Sequence, residues 1–450
     1  MIRMTDGEWR VCMKTLIDHV MVLTMNSEME ILEHGYVLME DDRIKEVGSG
    51  VCQTPYDTRF DGECGILMPG MVNTHCHVSM VPFRTMGDDC EDRLRRFLFP
   101  LEQEAVTREL VYAGARYGIC EMLLSGVTSF ADMYYFEDEV ARACEELGIR
   151  GGLGETVINM ATPDSKAPYG GLEYGEAFIK KWKGNPLVTP MIAPHGTTTN
   201  SLEMLKKSCE LAAAYDVPWT MHVSEMDYEM SYFRESYGQT PMEFLASNGL
   251  LDERLIAAHC IHLTEHDMER MEEAGTKVAH CIGSNTKAGK GVAPVKDMVK
   301  HNIPVGLGTD GPSSGNTLDL FTQFRLFASF QKTHYHDRSL FPAKEIVRLG
   351  TIGGASVLGA EAQIGSIEPG KKADFVLLDS QAVSMFPCYN PYSLLVYSAN
   401  PSVVDTVWVD GRMAVCHKKL AAADLLQIKK ELTEHMKDFY KKADAYRDII

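Results

Sequence analysis

Short apolar runs separated by turn-forming residues open the chain. Leu16-Ile17 and Val20-Met21-Val22-Leu23 are followed by Gly35-Tyr36-Val37-Leu38-Met39, and Asp41-Asp42 turns the chain into Arg43-Ile44-Lys45-Glu46-Val47. This spacing predicts a small β-meander over 14–68. The same texture returns late in the chain. Gly365-Ser-Ile-Glu-Pro-Gly370 precedes Phe375-Val376-Leu377-Leu378, and Thr406-Val407-Trp408-Val409 runs into the hairpin signal Asp410-Gly411. Two β-rich ends around a different middle imply one composite β-sandwich, built from 14–68 together with 365–420.

The middle, 69–364, alternates strand-like runs with helix-length amphipathic stretches. Val127-Thr128-Ser129-Phe130, Met191-Ile192-Ala193, Trp219-Thr220-Met221-His222-Val223 and Leu255-Ile256-Ala257-Ala258-His259 are such runs, and Lys277–His280 and Val305–Asp310 continue the series. Ser201–Tyr215 and Thr264–Ala274, lying between runs, are polar on one side at helical spacing. Strand–helix alternation on this scale predicts a parallel α/β fold. Several strands end in a polar residue able to do chemistry. That favours a (β/α)8 TIM-like barrel, in which the active site gathers residues from the C-terminal ends of many strands. Residues 421–450 read as a charged C-terminal helix, and residues 1–13 as an appendage to the fold.

Composition adds exclusions. Lys+Arg 44 against Asp+Glu 63 gives a net charge of −19, which argues against nucleic acid or an anionic membrane as partner. The 12 cysteines are scattered without a CxxC pair and read as reduced thiols. Neither a secretory leader nor an apolar run of ~20 residues is found, so the expected compartment is the cytoplasm. Met-rich composition is most simply core filler.

The strongest local signal is Pro69-Gly-Met-Val-Asn-Thr-His75-Cys-His77. Two histidines at i and i+2 on a strand share a side, so both imidazoles can face one ion. His334-Tyr-His336 has the same spacing but sits in a solvated charged stretch, and His262-Leu-Thr-Glu-His266 lacks the HExxH order. His75 and His77 gain weight from company further along. His222-Val-Ser-Glu225, His259 and Asp310 each close an apolar run. Three histidines and a carboxylate suit a borderline divalent ion such as Zn²⁺, with a position left for water, and Glu225 could carry protons beside it.

Other motifs fail on context. Gly306-Leu-Gly308-Thr-Asp310-Gly311 matches GxGxxG, but it lies late in the chain and places Asp310 where a pyrophosphate would approach. Gly283–Gly291 has one residue too many between its glycines for a phosphate loop and lacks Ser/Thr after Lys290. Cys76, Cys260 and Cys281 read as small apolar packing residues.

Taken in order, PGMVNTHCH, Phe99-Pro100-Leu-Glu102, Gly126–Tyr134, Ala193-Pro-His195, His222–Glu225, Ala257–Leu263, Ser284-Asn285 and Gly306–Gly311 resemble the amidohydrolase superfamily. The nearest branch is that of the methylthioadenosine/S-adenosylhomocysteine deaminases and triazine chlorohydrolases. The resemblance runs from about Leu16 to Leu420. It implies a metal-dependent barrel flanked by a composite sandwich, with one divalent ion per chain: Zn²⁺ first, Fe²⁺ or Mn²⁺ as alternatives. It further implies His75, His77, His222 and Asp310 as ligands, Glu225 as proton shuttle and His259 as the residue orienting the attacking water. Glu102 would grip ribose hydroxyls, His195 would touch substrate, and Ser314 would be a polar contact near the metal. His280 matches a family histidine for which a structural role is expected.

Two departures stand at substrate-binding positions. Arg93 replaces a tryptophan of the adenosine-type enzymes, and Glu155 replaces an arginine used on the distal part of the substrate. A carboxylate there would repel an anionic tail. The implied activity is hydrolytic deamination of an amino-substituted N-heterocycle such as an adenosine-like nucleoside, purine or pterin. The alternatives are dechlorination or dealkylamination of a triazine-like ring, and a non-catalytic ligand-binding relative. The expected partner is a small heterocyclic substrate, not nucleic acid or membrane, with self-association into a homo-oligomer left open.

Overall fold

The structure is a computed structural model and describes residues 2–5, 8–11 and 13–448. Eight parallel strands follow in sequence order around the barrel: Met71–Cys76, Val127–Tyr134, Arg150–Val157, Val188–Pro194, Trp219–Val223, Leu255–His259, Lys277–His280 and Val305–Leu307. Helices on the outside and side chains on the inside cover both faces. That explains why Val127–Tyr134 is buried at every position, the polar Thr128, Ser129 and Asp132 included, and shows no alternation of buried and exposed residues. Helix starts are written in the sequence: Thr107, Ser201, Thr240, Thr264 and Asp319 each accept a backbone N–H from the first turn that follows.

The last strand returns to the first through side chains as well as backbone. Asn73 Nδ2 donates to Thr309 Oγ1 at 2.8 Å, Thr309 N–H donates to Asn73 Oδ1 at 3.0 Å, and Asp310 N–H donates to His75 O at 3.0 Å. Gly308 is glycine because a Cβ there would stand 3.0 Å from the His75 backbone. The GxGxxG match is thus a requirement for close strand approach. Its effect is to seat Asp310 beside the HxH motif.

A second sheet combines both ends of the chain. Its order is Lys419–Leu420, Arg412–Cys416, Val404–Val409, Phe375–Leu378, Thr58–Pro69, Lys14–Leu23, Ile31–Glu40 and Arg43–Ser49. The seam pairs Phe375–Leu378 antiparallel with Thr58–Pro69, Val376 opposite Met68. Ile17, Val20, Val37, Leu67, Phe375 and Trp408 form its own core. Arg150, at the start of a barrel strand, ties the two units together by pairing with Asp374 and Asp410, each at 2.7 Å. Helix Leu425–Ala443 lies on the barrel, with Phe439 edge-on to Phe83 at 4.8 Å. At the N-terminus Ile2–Thr5 pairs with Glu8–Val11; the expectation of an appendage otherwise falls outside the described residues. No helix among the described residues is long and apolar enough to cross a membrane.

Candidate metal centre and catalytic pocket

The barrel brings the histidines together at the C-terminal ends of its strands. One ligand atom from each of His75, His77 and His222 lies within 4.8 Å of the others. Hydrogen bonds fix which nitrogen faces inward. His77 Nδ1 meets Met133 O at 2.6 Å and His222 Nδ1 meets His195 O at 2.5 Å. A carbonyl can only accept, so Nδ1 carries the proton and Nε2 turns its lone pair to the centre. His75 Nε2 is buried without any hydrogen-bond partner. A buried acceptor left unsatisfied is costly in a folded protein, and a cation would satisfy it. Asp310 Oδ1 stands 3.3 Å from His77 Nε2. Burial opposes charge on His77, but Asp310 outweighs it and lifts the imidazole to about 9, so a cation bound there would take the place of the Nε2 proton. Burial, with His77 and His222 nearby, drives His75 well below its usual range. The donor set fits a divalent cation.

His259 and Glu225 flank the centre. His259 Nδ1 lies 2.8 Å from Asn285 Oδ1, which leaves Nε2 facing the pocket, 3.6 Å from Glu225 Oε1. Burial raises the Glu225 carboxyl, yet His259 and Lys290 outweigh it and hold the group well below the usual carboxylate range. The main chain here is strained. Ser224, His259, Cys260 and Asp310 have φ of 50°, 71°, 49° and 57°, a left-handed region that costs a non-glycine residue about 1–3 kcal/mol. Four such residues at adjoining strand ends mark a site whose geometry is imposed by the surrounding fold.

A cavity of about 520 Å³ opens above this floor. Glu102, nearly fully buried, accepts from Tyr134 Oη at 3.0 Å. Burial pushes its carboxyl up to about 7, with Tyr134 opposing. His195 lines the wall with Nδ1 3.0 Å from Thr199 Oγ1, and burial lowers it to about 4, so it is neutral near pH 7. Ser314 and Arg93 also line the cavity. The Arg93 guanidinium is committed to Ser313 O and, at 2.8 Å, to Ser314 Oγ.

Glu155 corrects the sequence reading. It is fully buried and absent from the cavity wall, where its neighbour Thr156 stands instead. Its Cβ faces helix Gly171–Trp182, its Oε2 accepts from Glu137 N–H at 3.0 Å, and burial beside Asp164 raises its carboxyl well above the usual range. Period-two alternation turns it outward, so it offers no charge to a substrate. His280 is also buried, edge-on to Phe327 at 5.7 Å. His334 and His336 are exposed at a helix end, and His266 pairs with Glu269. Cys76, Cys260 and Cys281 are buried free thiols. Sequence reasoning missed Lys290, whose only signal was a pair of flanking glycines, and the Tyr134 partner of Glu102.

A parallel barrel whose strand ends converge three histidines, an aspartate and a glutamate on one cavity has the donor set of a metal-assisted hydrolase. The chain belongs to the amidohydrolase family, whose model matches residues 66–414. It is 39% identical over 414 residues to a 5-methylthioadenosine/S-adenosylhomocysteine deaminase from Syntrophus aciditrophicus, covering 90% of this chain and 93% of that one. It is 38% identical over 386 residues to a 5'-deoxyadenosine deaminase from Methanothermobacter thermautotrophicus, covering 85% and 89%. Among solved structures, an adenosine deaminase from Xanthomonas campestris with bound zinc superposes with a TM-score of 0.91 at 28% identity, covering 95% and 99%.

Proposed function

We infer that this protein is a C–N hydrolase that deaminates adenosine-like nucleosides, releasing ammonia. The observation that carries the reading is the convergence of three histidine lone pairs and Asp310 on the floor of a cavity flanked by Glu225 and His259. His75, His77, His222 and Asp310 would hold one divalent cation, zinc in the first instance. A cation held there supplies Lewis acidity, which makes water nucleophilic near neutral pH. The residues do the rest. His259 Nε2 orients the attacking water, whose oxygen bonds to the amine-bearing ring carbon. Glu225 takes one water proton and hands it to the ring nitrogen. The other proton leaves with the amine as ammonia, and the product is the oxo heterocycle.

The buried Glu102–Tyr134 pair supports a nucleoside over a small triazine ring, since it presents a carboxylate oxygen suited to vicinal hydroxyls. His195 and Ser314 add polar contacts along the wall. The net charge of −19 speaks against nucleic acid as a partner, and the reading places a small heterocyclic substrate in a cytoplasmic enzyme, its oligomeric state left open. The test is ammonia release across adenosine-type nucleosides, free purines, pterins, pyrimidines and triazines, with metal content measured on the same sample. Turnover of triazines or pterins alone, with every 6-aminopurine nucleoside inert, would overturn the nucleoside reading.

A further inference from the structure

Lys290 reaches into the floor of the cavity from a segment that also controls His259. Its ammonium sits 2.5 Å from Glu225 Oε1. The side chain is only 18% exposed, and so is that of Glu225. Glu225 Oε1 is therefore held by Lys290, with His259 Nε2 3.6 Å away, while Oε2 makes no hydrogen bond among the described residues. The backbone explains how Lys290 gets there. Lys290 N–H donates to Asn285 O at 2.9 Å, and Asn285 Oδ1 is the partner of His259 Nδ1. Gly289 and Gly291 on either side have φ of +65° and +131°, a path that side chains with a Cβ rarely follow. A Cβ on Gly291 would meet Ile261 Cγ2 at 2.9 Å. The other cations at the cavity are engaged elsewhere: Arg93 on Ser313 and Ser314, Lys287 on Asp88.

We propose that Lys290 is a positioning residue for the proposed deamination: it pins Glu225 Oε1, so that Oε2 is the atom that exchanges protons with water and ring nitrogen. The proposal rests on the deaminase reading. Its physical content is twofold. A carboxylate with one oxygen anchored keeps a single orientation toward the reacting atoms, where a free one would rotate. Once Oε2 has taken a proton, Lys290 is left without its counter-charge in a largely buried place, which favours passing that proton on to the ring nitrogen.

The test uses the full-length metal-loaded enzyme with Lys290→Met, similar in length but uncharged, and Lys290→Arg, which keeps the charge. Lys290→Met should lower kcat by ~10²-fold, the lower end for a displaced acid/base group, with KM within about twofold and metal content unchanged. Lys290→Arg should recover most of that loss. Ligand binding gives a readout independent of turnover. A purine nucleoside hydrated at the reacting carbon presents a ring N–H to Glu225 and should bind Lys290→Met at least about tenfold more weakly than wild type, because a charged hydrogen bond loses its fixed acceptor. A 1-deaza nucleoside, which lacks that nitrogen, should bind both proteins equally. A kcat within twofold of wild type overturns the proposal. Equal weakening of both ligands with a lower Tm overturns it too, since Lys290 would then only support the fold. Wild-type enzyme that releases no ammonia from any nucleoside brings down the deaminase reading itself, and this inference with it.

Discussion

Replacing Glu225 by glutamine separates proton transfer from every other duty of that position. The amide is isosteric, its carbonyl still accepts from Lys290, and the backbone N–H of residue 225 still donates to Glu229 Oε2 at 2.8 Å. An amide cannot pick up and release a proton near neutral pH, however. The expected loss in kcat is ~10²- to 10⁴-fold, or about 2.7–5.4 kcal/mol added to the activation barrier of the reaction. The structural cost is smaller, because Lys290 exchanges a carboxylate partner for a neutral one and is not stranded; ~1–2 kcal/mol is the scale of a charge-assisted hydrogen bond reduced to a neutral one. With an unfolding entropy of about 2.1 cal/mol/K per residue over 450 residues, that shifts Tm by only ~1–2 °C. The assay is single-turnover ammonia release, with elemental analysis and a thermal melt on the same preparation. Groups that act as one unit are not additive, so Glu225→Gln/Lys290→Met should be no slower than Glu225→Gln alone. Turnover within tenfold of wild type, or loss of metal and fold together, would refute the shuttle role.

Elemental analysis should find about one divalent ion per chain, and His75→Ala should lose both the ion and the activity; a variant keeping both would remove His75 from the ligand set. With Glu102 lifted to about 7 by burial, its carboxylate is protonated below that pH and ionised above it, so KM for a nucleoside should fall as pH rises through about 7. A 2',3'-dideoxy analogue, lacking the hydroxyls, should show no such change. Arg150→Met strands Asp374, whose side chain is 2% exposed, and should cost ~3 kcal/mol; a melt unchanged from wild type would show that the link between barrel and composite sheet is not stabilising. The mouth acids Asp88, Asp89, Glu91 and Asp92 are exposed, so any bias against S-adenosylhomocysteine relative to 5'-deoxyadenosine should shrink in kcat/KM as salt rises toward 0.5 M, where the Debye length is only about 4 Å.

Much of the barrel was readable because its signals are local. A strand buried on both faces must be a continuous apolar run, and the polar residue closing each run, His222 or His259, falls at the C-terminal rim by register alone. The composite sheet was readable for a related reason, since the strand texture of 14–68 recurs after 365. What the sequence concealed depends on partners far away in the chain. Asn73 and Thr309 are 236 residues apart, and only their pairing shows that the late glycines serve strand closure. Lys290 looked like a failed phosphate-loop lysine. Its direction is set by the φ values of its neighbours and by Asn285, none of which composition encodes. The left-handed φ values at Ser224, His259, Cys260 and Asp310 were equally invisible, because these residue types carry no label for strain.

Glu155 shows how motif position can mislead where strand geometry would not. Aligned by motif, it stands where an arginine meets the substrate. On strand Arg150–Val157, though, Thr156 faces the cavity, and period-two alternation then sends residue 155 to the helix side. There, burial, with Asp164 and Glu137 beside it, raises its carboxyl well above the usual range, and the side chain lies away from the cavity where a repelling charge had been expected. The Arg93 departure changes meaning as well. Its guanidinium reaches the cavity but is spent on Ser313 and Ser314, which makes it a brace for the wall carrying Ser314 and not a free cation for a substrate tail. Neither substitution therefore presents an uncommitted charge to the distal part of a nucleoside. A preference among 5'-substituents must then come from the exposed mouth, where two unit charges 4 Å apart are worth only ~1 kcal/mol in water before screening. Strong discrimination against an anionic tail therefore loses its basis in these two residues.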